Sequence, residues 1–232
     1  MIEITPLEDL GKAELGWLSA RHHFSFADYQ NPDRVNFGPL RVWNDDTIQP
    51  GTGFPMHPHR DMEIITYVRK GSISHEDDQG NKGVTIAGDV QVMSAGTGIR
   101  HSEYNLGEEV TQLFQIWVHT DREGHKPHWD AATFPQAERE AQLVPLASGR
   151  AGMEGTLMIH QDATLFATTL SAGQSVKHII EPGRRVYLVP PRGRIDVNGH
   201  EVPERAGVAI EDEAEVAITA LDDAEVVLVD LP

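Results

Sequence analysis

Along most of the chain apolar and polar residues alternate with the two-residue period of strands, and turn residues break the alternation at short intervals. The pattern predicts strands over residues 40–43, 62–68, 72–75, 84–87, 90–93 and 112–119, with turns at Lys70-Gly71 and 78–83. It resumes with strands over 156–160, 165–170, 175–180, 185–189, 194–197, 207–210, 215–219 and 225–231. Asn198-Gly199, between two of these, predicts a tight hairpin, because both central positions of a type I′ turn need positive φ. The first 150 residues hold one stretch of helical period, 136–142, which follows a polar, proline-containing passage from 121 to 135. The reading is an all-β chain of two antiparallel units, 1–120 and 146–232, joined by a linker with a short helix over 121–145. No exact internal repeat relates the halves.

Composition narrows the chemistry. A chain of 232 residues, 39% hydrophobic and 24% charged, suits one large domain or two smaller ones. No run reaches the ~18 to 20 apolar residues of a membrane helix, and the first residues lack the basic and then apolar pattern of a secretory signal. The expected location is therefore the cytoplasm, away from membranes. Nineteen basic residues against 36 acidic ones give a net charge of −17, which argues against direct contact with nucleic acid. From Asp196 to Pro232 there are eleven acidic residues and one basic residue, Arg205, a run that reads as a solvated face. With no cysteine, disulfides, thiolate-bound zinc, iron–sulfur clusters and a cysteine nucleophile are all excluded. A metal site would have to use His, Asp and Glu.

Nine of the twelve histidines lie at or before His128, so the first half is where a site would be. One His-x-His pair, His57-Pro58-His59, is close to what composition alone supplies. A second pair with the same spacing, His101-Ser102-Glu103, follows Gly96-Thr97-Gly98. Residues i and i+2 of a strand share a face, so two such strands lining a barrel would gather three imidazoles and a carboxylate around one point. Surface histidines or satisfied interior ones would give the same spacing. Pro58 cannot donate to a ladder, which places its strand at an edge or bulge. His125-x2-His128 also has ligand-like spacing but falls in the linker, and His160, His178 and His200 have no partner two residues away.

Gly51-x5-His57-x-His59-x3-Glu63, then Gly71, and Gly98-x2-His101-x3-Asn105 resemble the two cupin motifs. They depart from the usual pattern in the seven residues between Glu63 and Gly71 and in having Gly96 where proline is usual. Arg21-His22-His23-Phe24-Ser25-Phe26, Leu40 to Asp46, His57 to Val68 and Met93 to Asn105 are similar to the pirin family, above all its bacterial members that resemble quercetin 2,3-dioxygenase. The resemblance runs from about residue 15 to the C-terminus and is most specific over 94–104.

It implies a bicupin, two jelly-roll-like β-barrels, with one divalent transition metal in the first and none in the second. The implied ligands are His57, His59, His101 and Glu103. Most cupins take the carboxylate from the first motif, here Glu63, whereas pirins take it from the second. Glu63 is then either a partner orienting a ligand or an exposed side chain. His22, His23, Phe24 and Phe26 either cap the pocket or pack the barrel end, packing being the favoured reading. Fe(II) is the first expectation for such nitrogen and oxygen donors, with nickel, cobalt, manganese, copper and zinc also suited. The implied activity is dioxygenation of a flavonol such as quercetin, a small planar aromatic, by O2. Glu103 would take the proton of the 3-hydroxyl, and the ring would open across the 2,3 bond with loss of carbon monoxide. Two other classes share the ligand set: a non-catalytic metal-binding regulator acting through protein partners, and a sugar-phosphate isomerase. The isomerase would need basic residues such as Arg60 and Arg100 in the cavity, although strand alternation turns them away from the ligand face.

Overall fold

A computed structural model describes residues 1–232, every side chain apart from that of Gln136 included. Strands dominate, and the helical segments among the described residues are two single 3-10 turns, Leu7–Asp9 and Gln136–Arg139. The second replaces the short helix expected at 136–142, because Pro135 starts it and Ala141 at φ 53° stops it. Among the described residues no helix is long and apolar enough to cross a membrane.

The chain divides into two compact units, and their boundaries differ from the expected ones. The first unit comprises residues 11–134 with 157–161, and the second 1–10, 135–156 and 162–232. Residues 121–134 are therefore not a linker. Within them His128–Ala132 forms a strand that pairs with Val90–Ser94 in the first unit. Ile2–Thr5, expected in the first unit, instead pairs with Gly207–Ile210 in the second. Backbone pairing with a distant segment leaves no local signal, which is why sequence order alone misplaces both.

The first unit has two antiparallel sheets. One runs in the order His128–Ala132, Val90–Ser94, Met62–Lys70, Thr111–His119, Leu40–Ile48, Leu18–His22, Gly11–Glu14. The other runs Thr52–His59, Ile99–Asn105, Ser72–Asp77, Lys82–Ile86. Thr52–His59 is an edge strand, which is where Pro58 can sit without costing a ladder bond. Its buried apolar side chains include two clusters, Leu18, Ala20, Ile48, Val68, Ile73 and Leu113 in one and Ile64, Met93, Ala95 and Ile99 in the other. The second unit also pairs two sheets, and eighteen buried residues, all apolar and mostly Val, Ile, Leu and Ala, make up one core cluster there. Asn198 and Gly199, at φ 50° and 87°, form the expected tight turn between Val197 and His200.

Candidate metal centre

Strand alternation builds the site. In Ile99–Asn105 the buried positions are Ile99, His101, Glu103 and Asn105, so both site residues point inward. His101 lies opposite His57 on the neighbouring edge strand, and a bulge between His101 and Glu103 shifts the register beyond it. Gly53 makes the bulge affordable in space: a Cβ there would lie 2.1 Å from the Glu103 carbonyl oxygen. Gly96 does similar service for the preceding loop, at φ 44° and with a Cβ that would stand 2.1 Å from the His125 carbonyl oxygen.

The structure brings His57, His59 and His101 together, one ring nitrogen from each lying within 4.8 Å of the others. Their hydrogen bonds assign the tautomers. His57 Nδ1 is 2.7 Å from the Pro55 carbonyl, an acceptor only, so Nδ1–H donates and Nε2 keeps its lone pair. His75 Nε2–H donates to Asp77 Oδ2 at 3.0 Å, which leaves His75 Nδ1 to accept from His101 Nδ1–H at 3.4 Å. His101 Nε2 therefore also carries a lone pair, and it faces His57 Nε2 at 3.1 Å. His59 Nε2 is buried without a hydrogen-bond partner. Lone pairs converging in this way suit a cation, and neutral imidazoles are the ligand form. Burial, and then the neighbouring His57, push His59 down to about 4. Burial and the other three histidines push His101 to about 2. The donor set, nitrogen with a carboxylate nearby and no thiolate, fits a first-row divalent ion.

Glu103 is placed differently from its three expected partners. Its carboxylate groups with His101 and His75, whereas the imidazole set is His57, His59 and His101. Gln91 Nε2 at 2.7 Å and Thr66 Oγ1 at 3.3 Å donate to Glu103 Oε1, and Gln115 Nε2 donates to Oε2 at 2.7 Å. Three donors fill three of the roughly four acceptor positions of a carboxylate, so one is left for a metal or a substrate proton. Burial raises Glu103 to about 7 against the lowering pull of Gln115, Thr66 and Gln91.

A cavity with an open mouth adjoins these groups. Its lining comes from both sheets and includes Phe26, Phe54, Ile64 and Trp117 beside Asn44, Asp46 and Gln115. His22 and Phe26 line it, which corrects the favoured packing role for those two. His22 Nδ1 is 2.8 Å from Asn44 Oδ1, and Phe26 meets Trp117 edge-on at 5.4 Å. His23 and Phe24 do pack: His23 lies against Trp43, and the Arg34 guanidinium sits 5.6 Å from the Phe24 ring centroid.

Glu63 is neither exposed nor beside a ligand. It is fully buried, accepts from Ser94 Oγ at 2.7 Å, lies near the backbone of His160, and leaves Oε2 without a hydrogen-bond partner. In the same strand Ile64 lines the cavity and Thr66 bonds Glu103 from the same face, and alternation sends Glu63 to the far face. His125 is also on that side, stacked on His160 at 3.7 Å and bonded to Asp121. Arg60 and Arg100 are exposed, and neither lines the cavity.

His75, Asp77, Gln91, Gln115 and Asp46 were not singled out by motif. A signal existed for two: Gln91 and Gln115 are lone polar residues inside apolar runs, Val90-Gln91-Val92-Met93 and Leu113-Phe114-Gln115-Ile116. A strand buried on both faces carries such a residue only when something inside pairs with it.

Comparison with known proteins agrees with the architecture. Residues 5–118 match the family model "Pirin", and 146–231 match "Quercetinase C-terminal cupin domain". A Pseudomonas aeruginosa protein provisionally named quercetin 2,3-dioxygenase is 58% identical over 100% of both chains. An Escherichia coli K12 protein named quercetin 2,3-dioxygenase is 42% identical over 100% of this chain and 99% of its own. The crystal structure of the bacterial pirin YhhW from Escherichia coli in complex with nickel(II) superposes with a TM-score of 0.94 at 41% identity, covering 100% of this chain and 99% of that one. With its two cupin units and its histidine cluster in the first, this chain belongs to the pirin family.

Proposed function

We propose that the protein is a metal-dependent dioxygenase that cleaves flavonols at the 2,3 bond with release of carbon monoxide. His57, His59, His101 and, until a substrate hydroxyl takes its one free acceptor position, Glu103 would hold one divalent ion per chain; iron suits these donors, and the nickel complex of the Escherichia coli pirin makes nickel a second choice. The ion supplies Lewis acidity toward the substrate oxygen and a means of engaging O2.

The observation that carries the reading is Glu103, a buried carboxylate with a free acceptor position, at the wall of a cavity with aromatic sides. A flavonol 3-hydroxyl brought to that position loses its proton to Glu103, and the electron-rich enolate that results is the form reactive toward O2. Gln91 and Gln115 hold the carboxylate still through this transfer, since both present amide N–H groups that cannot take the proton. Phe26, Phe54 and Trp117 supply flat apolar surface for a planar ligand and keep bulk water away from it. The isomerase alternative loses its support, because no Arg or Lys lines the cavity among the described residues.

The test is oxygen uptake by protein of known metal content on a small flavonol panel, with carbon monoxide measured alongside. One O2 consumed and one CO released per flavonol supports the proposal. No oxygen-dependent flavonol loss by fully metallated protein overturns it and puts the regulatory role first.

A further inference from the structure

The cavity holds one carboxyl that neither the metal set nor Glu103 accounts for. Asp46 lies in Leu40–Ile48, where alternation splits two adjacent acids between opposite faces. Asp45 faces away from the cavity and pairs with Arg69. Asp46 faces the cavity, is 2% exposed, and its Oδ1 has no hydrogen-bond partner among the described residues. The polar neighbours on its wall are already engaged: Asn44 with His22, and Gln115 with Glu103. A buried polar atom left unpaired is costly, and proteins keep such atoms where a ligand completes them.

We propose that Asp46 is the specificity-determining residue that binds a second hydroxyl of the aromatic substrate. The cavity takes lining from both sheets, with His57, His59, His101 and Glu103 on the smaller and Asp46 on the larger. A ligand delivering its reacting hydroxyl to Glu103 therefore has Asp46 within the same cavity to meet another polar group. A hydroxyl both donates and accepts, so it can pair with this carboxyl in either protonation state. The ligand class is thus an aromatic carrying at least two hydroxyl groups, only one of which reacts. The inference rests on the flavonol reading of the cavity and adds which flavonols fit it.

The experiment is anaerobic binding, where turnover cannot occur, of 3-hydroxyflavone and of its derivatives hydroxylated singly at positions 5, 7, 3′ and 4′. Metallated wild type and metallated Asp46→Ala and Asp46→Asn are compared, with metal content and Tm recorded for each. Wild type should favour at least one derivative over 3-hydroxyflavone by about 10-fold or more, the order expected of one buried hydrogen bond to a potentially charged group. Asp46→Ala should lose that preference while binding 3-hydroxyflavone as wild type does, and Asp46→Asn should retain part of it. Both variants should keep or raise Tm, since the replaced group has no partner to lose; a fall in Tm with the preference intact would mark a structural role and overturn the assignment. An unchanged preference in Asp46→Ala overturns it while leaving the dioxygenase reading in place. Failure of the metallated wild type to bind any of these flavonols overturns both.

Discussion

His101 is held at its outer nitrogen by His75, and His75 by Asp77, so replacing His75 should weaken metal binding without removing a ligand. The hydrogen bonds fix the directions: His101 Nδ1–H points at His75 Nδ1, and His75 Nε2–H points at Asp77 Oδ2. Trp129, parallel to His75 at 4.9 Å, locks the ring in place. His75→Leu removes the acceptor, so His101 can rotate or adopt the tautomer whose Nε2 carries the proton. Loss of such an orienting partner costs ~10 to 100-fold in metal affinity, or about 1.4 to 2.7 kcal/mol. His75→Gln can still offer an amide oxygen to His101 Nδ1–H and should stay within about 10-fold of wild type. Asp77 remains bonded to Asn81 in either variant, so the metal-free fold should survive. The assay is competition for the metal against a chromophoric chelator at pH 7, with the Tm of metal-free protein as the folding control. Wild-type affinity in a folded His75→Leu protein, or equal losses in the Leu and Gln variants, would refute the relay.

Three further outcomes follow from separate parts of the molecule. Elemental analysis should find about one metal per chain, lost on His57→Ala or His101→Ala and kept on His160→Ala, His178→Ala or His200→Ala; a ratio near two would contradict a single centre. Gly53→Ala should destabilise the first unit by roughly 2 kcal/mol or more and lower metal occupancy, because its Cβ would meet backbone at the Glu103 bulge; calorimetry at matched metal content measures it. Burial alone would raise Asp230, but hydrogen bonds from His178 and Arg184 and the guanidinium charge outweigh it, so its folded pKa lies below the unfolded value near 3.9. That stabilisation is complete above the unfolded value and fades as pH falls through the folded one, so Asp230→Asn should cost about 3 kcal/mol near pH 7 and progressively less below pH 4; an unchanged difference between pH 7 and pH 3 would contradict the linkage.

The strands and the histidine pairs were legible because both depend on a local period of two. His57, His59, His101 and Glu103 all point inward as alternation requires, and the turn at Asn198-Gly199 forms as its residues dictate. What sequence could not supply is pairing between distant strands. The passage over 121–135 looks like a linker because it is polar and contains proline, yet it carries Trp129, the ring that braces His75 behind His101. Glu63 stands in the motif position where many cupins keep a ligand, but its place in the alternation of Met62–Lys70 sends it to the opposite face toward His160. Asp46 was hidden for a different reason: in Asn44-Asp45-Asp46 the sequence shows three polar residues, and only the partners chosen by the fold show which is left unpaired.

The most direct test of the catalytic role of this centre is the turnover of Glu103→Gln against wild type at equal metal occupancy. Glutamine keeps the size and one oxygen of the side chain but cannot accept the flavonol proton, so turnover should fall by ~100-fold or more while the metal remains bound. Cleavage of quercetin by metallated Glu103→Gln at the wild-type rate would contradict the assignment of Glu103 as the base.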